Sequence, residues 1–224
     1  MICIIPARKN SKGIKNKNFV KLNGIPLIEH SVNLAKKSKK IKEIYISTDS
    51  KKIIDYFKKD KFVKIPFIRP KKLAKDETKS IDVYLHMINF LEKKKKVDEL
   101  CVLLPTCPIR NFKLIDDAIS IFYKNKPNFL ISVVKSKPIE FQFRLNKKNY
   151  IKKLKNIKSS VENRQKLNQI YSPNGSLYIF NTKALKKEKS FMTNKTYCYE
   201  MNKYYSQDID DQVDFSIVKK LIKK

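Results

Sequence analysis

The sequence predicts one α/β domain whose mostly parallel sheet is covered by helices on both faces. Three observations carry this. Strand-length apolar runs alternate with segments of helical periodicity, the connections between them are short, and the longest apolar run, Leu100 to Leu104, is strand-sized, well short of the roughly 20 residues that span a bilayer. A length of 224 residues with a hydrophobic fraction of 42% is enough for one such domain and its core.

The elements follow in order. Ile2 to Pro6 reads as a buried first strand and runs directly into a polar, basic loop, Arg8 to Asn18. Leu27, Ile28, Ser31, Val32 and Ala35 recur at helical spacing after Pro26. Glu43 to Thr48 is a second strand, and Ile53, Ile54 and Phe57 mark a second helix. Phe62 to Ile68 reads as a short third strand ended by Arg69-Pro70. Ser80 to Leu91 is a helix, Leu100 to Leu104 a buried strand, Leu114 to Tyr123 a helix and Phe129 to Val134 a strand. Residues 136 to 172 break the pattern: they are polar, with short strand-like pieces such as Phe141 to Leu145, and suggest a small lobe or insert. Leu177 to Phe180 returns to a buried strand, and Val213 to Leu221 closes the chain as a helix.

Composition narrows the function. The formal charge of +30 raises nucleic-acid binding as one class. The basic residues are nearly all lysines, however, spread along the whole chain as mutational drift in an A/T-rich coding sequence would place them. No RNA-binding aromatic motif, zinc spacing or basic zipper accompanies them, so nucleic acid is discounted as the main partner, and a basic nucleic-acid-binding protein stays as the alternative of a different class. No run reads as a membrane span, and the first strand begins at once without a secretory signal, so a cytoplasmic location is expected. Cys3, Cys101, Cys107 and Cys198 form no CxxC pair and read as free thiols. The same bias acts as a filter. Where drift favours lysine, the five arginines (Arg8, Arg69, Arg110, Arg144 and Arg164) are candidates for bidentate work that lysine does poorly. Gly13, Gly24 and Gly175, the three glycines, are candidates for positions where the backbone needs positive φ or close approach.

Five segments hold the residue types that phosphate chemistry needs. Ile4 to Asn18 delivers the carboxyl end of a strand into a loop bearing Arg8, Lys12, Lys17 and Gly13, where cations and backbone amides cradle phosphate. It is neither a Walker loop nor a GxGxxG fingerprint. Arg69 to Ser80 has Asp76 and Thr78 between its ends, and Asp76 to Ser80 reads as an N-cap for the following helix. Leu103 to Arg110 ends a strand in two prolines, a rigid turn that Arg110 caps. Arg164-Gln165 precedes Pro173 to Tyr178, where Asn174-Gly175 also fits a hairpin turn. In Ser206 to Asp214, Asp208 and Asp210 alternate, so on extended backbone both point to one side and share a hard cation; Asp214 reads as an acid in the first turn of the last helix.

These segments resemble the acylneuraminate cytidylyltransferases (CMP-sialic acid synthetases), and the resemblance runs nearly the whole chain. Its patterns are I-P-A-R-x-x-S-K-G-[IL]-x-x-K-N, R-P-x-x-L-A-x-D, L-Q-P-T-S-P-L-R, R-Q followed by N-G-[AS]-[IL]-Y, and D-I-D-x-x-x-D. It implies a three-layer, Rossmann-like nucleotidyltransferase fold (GT-A-like) as a single domain over residues 1–224. Residues 136–172 would be a dimerisation and sugar-binding insert, and the protein a homodimer. It implies transfer of CMP from CTP to the anomeric hydroxyl of a nine-carbon acidic sugar such as N-acetylneuraminate, legionaminate or pseudaminate. Arg8, Lys12, Lys17 and Asp210 would be catalytic, and Ala7, Arg8, Asn18, Arg69, Thr78 and Ser80 would bind the nucleotide. Leu104, Thr106, Glu140, Arg164, Gln165 and Asn174 would face the sugar, and Asp208 and Asp210 would hold Mg²⁺ or Mn²⁺. Two positions depart from the family: Leu104 stands where it has glutamine, and Glu140 where relatives of the sialic-acid type have lysine. The nearest rival enzyme is the Kdo cytidylyltransferase, whose loop resembles S-x-R-L-x-x-K-P where this chain reads Ser11-Lys12-Gly13-Ile14-x-x-Lys17-Asn18.

Overall fold

A computed structural model describes residues 1–154 and 167–222. Seven strands form one sheet in the spatial order β11 (Thr196–Glu200), β7 (Phe129–Ser136), β10 (Ile170–Asn181), β6 (Glu99–Leu103), β1 (Ile2–Pro6), β4 (Glu43–Ser47) and β5 (Val63–Lys64). The pairs β1–β4, β1–β6, β4–β5 and β7–β11 are parallel, and β10 alone runs antiparallel to both neighbours. The chain leaves β1 toward β4 and β5 and returns to β1's other side as β6. A crevice therefore opens between the carboxyl ends of β1 and β6, the switch point where doubly wound sheets bind ligands.

Helices cover both faces, as the alternation predicts. Helices α1 (Leu27–Lys37), α2 (Lys51–Phe57) and α4 (Phe112–Asn125) place Ile28, Val32, Ile53, Phe57, Ile115 and Ile119 against Cys3, Ile5 and Ile46 of the sheet. Helices α3 (Ser80–Glu92) and α5 (Thr182–Glu188) place Ile81, Tyr84, Met87, Ile88 and Leu185 against Ile4, Val102 and Phe180 on the other face. Cys3 and Cys101 fill facing positions on β1 and β6, both fully buried. A third, smaller core joins the two ends of the chain: Ile14 from the first loop, Leu22 and Leu27 pack with Ile209 and with Val218 of α6 (Gln212–Ile222). Apolar burial at about 25 cal/mol per Å² is what holds that loop down on the last segment.

The structure differs from the sequence reading in several places. Only Val63–Lys64 of the predicted strand 62–68 pairs, with one bridge between Thr48 and Ile68 beyond it. Asn174-Gly175 makes no hairpin. It lies inside the long β10, where pairing to β7 shifts register between Pro173 and Tyr178, and Gly175 takes φ +68°. The two-residue hairpin turn is Asn23-Gly24, both with positive φ, joining β2 (Lys21–Leu22) to β3 (Ile25–Pro26). Asp76 to Ser80 supplies no side-chain cap to α3, which follows Lys79. Helix α5 and strand β11 were not anticipated. The lobe between β7 and β10 carries a small hairpin, β8 (Phe143–Leu145) paired with β9 (Ile151–Lys153), whose six residues are all exposed.

Candidate active site

At the β1–β6 switch point lies a cleft of about 560 Å³. All five of the sequence segments meet on it: Arg8, Lys12, Lys17 and Asn18 from the first loop, Arg69, Thr78 and Ser80 from the second, Leu104 and Thr106 from the third, Tyr178 from the fourth, and Asp210 from the last.

Each segment is held there for a local reason. The first loop turns at Asn16, a left-handed residue, and closes with hydrogen bonds from the Lys17 amide to the Ile14 carbonyl and from the Phe19 amide to the Asn16 carbonyl. Asn18, 7% exposed, donates its side-chain amide to the Arg8 carbonyl at 3.0 Å and staples the loop to its own start. The loop then presses on the acidic segment. Lys17 Nζ donates to the Ile209 carbonyl at 2.6 Å and stands 3.3 Å from Asp210 Oδ1. At Gly13 a Cβ atom would sit 2.0 Å from the Asp210 carbonyl oxygen, so no side chain fits. Ile209 is buried between the two acids and its amide donates to the Thr106 carbonyl at 2.9 Å, which joins the acidic segment to the turn after β6. Asp211 and Asp214 then close a reciprocal cap on α6: Asp211 Oδ1 accepts from the amides of Val213 and Asp214, and Asp214 Oδ2 from those of Asp210 and Asp211. The first-turn reading of Asp214 is thus how the structure uses it.

The arginines do what lysine could not. Arg69 is 4% exposed, and its guanidinium bonds both the carbonyl and the hydroxyl of Ser47 while still lining the cleft. Burial draws its pKa down to about 10. Arg110, 2% exposed, donates from Nη1 to the carbonyls of Cys107 and Ser176 at 2.8 and 3.0 Å and from Nη2 to Ser31 Oγ at 2.6 Å. It therefore clamps the β6 turn, the β10 bulge and α1 together, consistent with the capping role read for it.

The acidic pair is electrostatically strained. Burial pushes the Asp208 carboxyl up, and the charge of Asp210 adds to this, against hydrogen bonding from Thr106 and Cys107 and the charge of Lys17. Two mutually repelling carboxylates, one of them half-buried, suit a hard cation that offsets both. Among the described residues no group of three or more His, Cys, Asp or Glu forms a complete cage. Further oxygen ligands would have to come from substrate phosphates and water, the usual manner for Mg²⁺. The residues present fit such an ion.

Some predicted residues lie elsewhere. Ala7 is buried with its side chain in the core, its amide donating to the Ser47 carbonyl at 2.9 Å. Asp208 is not among the cleft-lining residues, and its Oδ2 lies 3.2 Å from where a Cβ on Gly175 would be. Asn174, 5% exposed, spends its side chain inside the protein: Oδ1 accepts from Ser132 Oγ and the Ser176 amide, and Nδ2 donates to Ser206 Oγ. It shapes the bulge rather than lining the cleft. Glu140 sits in the lobe, away from the cleft lining. Arg164 and Gln165 lie outside the described residues. Tyr84, Tyr178 and Asp76 also line the cleft, though none was named as a site residue from the sequence. Helical spacing could have found Tyr84, four residues after Ser80 on the same face. Tyr178 is pushed up to about 12 by burial, with Cys107 and Asp208 adding to it.

Comparison with solved structures defines the class first. The fold matches a CMP:2-keto-3-deoxy-manno-octonic acid synthetase complexed with CTP at a TM-score of 0.71 and 13% identity, covering 99% of this chain and 98% of that one. It matches a 4-diphosphocytidyl-2C-methyl-D-erythritol synthase from Anaerococcus prevotii at 0.68 and 15%, covering 100% and 98%. The architecture is therefore the fold that these two proteins share. The cytidylyltransferase family model matches residues 2–217, and the chain belongs to that family.

Among sequence relatives, an N-acylneuraminate cytidylyltransferase of Streptococcus agalactiae serotype V is 32% identical over 96% of this chain and 51% of its own length. A pseudaminic acid cytidylyltransferase of Campylobacter jejuni is 31% identical over 99% of this chain and 96% of its own. A CMP-N,N'-diacetyllegionaminic acid synthase of Legionella pneumophila is 31% identical over 99% and 96%. The chain thus spans about half the length of the streptococcal relatives and nearly all of the other two. The resemblance carried by the five segments is borne out.

Proposed function

We propose that this protein transfers CMP from CTP to the anomeric hydroxyl of a nonulosonic acid and releases pyrophosphate. One observation carries the proposal: Lys17 and Gly13 of the cationic first loop rest directly on Ile209 and Asp210, so opposite ends of the chain face one cleft. Relatives named for N-acylneuraminate, pseudaminic and legionaminic acid favour a nonulosonate over the eight-carbon sugar of the more distant structural neighbour.

In this reading the sugar hydroxyl attacks the α-phosphorus in line, the bond to the bridging oxygen breaks, and pyrophosphate departs. Arg8, Lys12 and Lys17 offset its charge. Asn18 holds the loop, while Arg69, Thr78 and Ser80 face the base; Ala7 contributes only through its backbone. Leu104 and Thr106 face the sugar, joined by Tyr178 as a hydroxyl on the same wall. Asn174 acts indirectly by fixing the β10 bulge, and Glu140 belongs to the sugar side through the lobe; for Arg164 and Gln165 the sugar role rests on the resemblance alone. Asp208 and Asp210 would hold Mg²⁺ or Mn²⁺, and such an ion would supply charge neutralisation at the phosphates and a lowered pKa at the attacking hydroxyl. No side-chain general base is assigned. The lobe also joins two copies into a homodimer: Phe143, Leu145, Tyr150 and Ile151 are 52–66% exposed there, an apolar surface that a partner copy would cover. The cytoplasm, where CTP is made, is the expected compartment.

The test is pyrophosphate release from CTP with N-acetylneuraminate, legionaminate and pseudaminate in turn. Asp210→Asn should lower kcat by at least about 10²-fold while thermal melting stays near wild type. Wild-type turnover by a folded Asp210→Asn protein would remove the metal assignment, and no pyrophosphate with any nonulosonate would remove the function.

A further inference from the structure

Arg8 and Lys12, assigned above to the leaving pyrophosphate, already share an anion. Arg8 Nη1 is bonded to Asp76 Oδ1, and Lys12 Nζ stands 3.6 Å from Asp76 Oδ2. Each oxygen of one carboxylate faces one cation, as two oxygens of a phosphate would. Asp76 comes from the opposite wall, in the segment between Arg69 and α3, and lines the cleft. The capping role that its position suggests does not account for it, because α3 begins after Lys79 without a side-chain cap. Hydrogen bonding from Arg8 holds the Asp76 carboxyl below its ordinary value, so it stays ionised wherever the enzyme would work.

We propose that Asp76 is an internal counter-anion that competes with the terminal phosphates of the nucleotide for Arg8 and Lys12, and so sets affinity at the triphosphate end of the cleft. This deepens the reading above and rests on its nucleotide site. In a chain of +30 formal charge, an open cationic cradle would hold any polyphosphate, including the pyrophosphate product. A tethered carboxylate raises the threshold for all of them. CTP offsets the loss through contacts that inorganic phosphates lack, and the carboxylate re-forms its pairs as pyrophosphate leaves. The residue thereby selects for the whole nucleotide and assists product release.

Calorimetric titration with tripolyphosphate and with CMP tests this on three proteins: wild type, Asp76→Asn and Glu77→Gln. Glu77 provides the charge control. It is adjacent and pairs with Lys75 at 3.6 Å rather than with either cradle cation, so Glu77→Gln makes the same change in net charge. Exposed pairs of this kind predict that Asp76→Asn binds tripolyphosphate about 2- to 10-fold more tightly, with CMP affinity unchanged within about 2-fold. Glu77→Gln should match wild type for both. Equal or weaker tripolyphosphate binding by Asp76→Asn would overturn the proposal and make Asp76 a residue that merely orients Arg8. A gain reproduced by Glu77→Gln would overturn it in favour of general electrostatics. The readout does not depend on turnover. A tighter Asp76→Asn protein without CTP activity in the wild type would sink the proposed reaction and leave the counter-anion standing.

Discussion

Gly13→Ala probes the contact on which the cleft depends. The added Cβ would lie 2.0 Å from the Asp210 carbonyl oxygen, 3.1 Å from its carbonyl carbon and 3.5 Å from Asp211 Cα. Side-chain carbons do not approach closer than 3.0 Å, so loop and acidic segment must part by at least 1.0 Å. All three atoms are backbone, and no rotamer change relieves the clash. Such a shift pulls Lys17 from the Ile209 carbonyl and moves Asp210 relative to Arg8. A displacement of this size costs about 10²-fold in kcat/KM, equivalent to about 2.7 kcal/mol in the barrier. Overpacking should cost a further ~1–3 kcal/mol of stability, lowering Tm by roughly 2–12 °C at this chain length. Pyrophosphate release measured beside a thermal melt separates the two effects. Trimming the Asp210 side chain as well should rescue nothing, since the obstacle is its carbonyl. A folded Gly13→Ala protein within about 3-fold of wild-type kcat/KM would refute the convergence argument.

Three further predictions follow from the geometry. Arg110→Lys keeps the charge but cannot reach Cys107, Ser176 and Ser31 together, and urea unfolding should show a loss of about 2–4 kcal/mol; stability within ~0.5 kcal/mol of wild type would contradict the clamp. Burial opposes ionising Glu43, but hydrogen bonds from Lys64, Lys95 and Tyr45 outweigh it and bring its carboxyl from 4.5 to about 2. A depressed folded-state pKa contributes stability above the unfolded value and loses it as pH falls from about 4.5 toward 2. Glu43→Gln should therefore cost on the order of 1–3 kcal/mol at pH 7 and almost nothing near pH 2, in melts across that range; a difference independent of pH would be the contrary result. Leu104→Gln, which places an amide on the cleft wall, should change KM for the sugar about 3-fold or more and leave KM for CTP within about 2-fold, and the reverse pattern would move Leu104 to the nucleotide side.

Much of the fold was legible because its signals are local. The apolar run at Ile2–Pro6 and the helical patterns near Leu27–Lys37 and Ser80–Glu92 depend only on which side chains are apolar, and the observed ends agree within a residue or two. Helix α5 was missed because seven residues rich in lysine carry little periodicity, and β11 because its residues alternate only weakly and none is buried. The direction of β10 was equally hidden. A buried apolar run reads alike whether its neighbours run parallel or antiparallel, and only pairing with β6 and β7 decides it.

The site divides along the same line. By composition alone the chain marked scarce glycines and arginines, a cationic loop after the first strand, and two alternating acids near its end. Tertiary structure decided what those residues do to one another. Gly13 matters because the Asp210 carbonyl is 2.0 Å from where its side chain would be, and Lys17 bonds a carbonyl 192 residues away. Asp76 reads as a helix cap until two cations from the far wall reach it, and Asn174 reads as a hairpin until its amide is found spent on Ser132, Ser176 and Ser206. A sequence records the chemistry each residue carries. Contacts between distant segments arise only when burial of Ile14 against Ile209 brings them together.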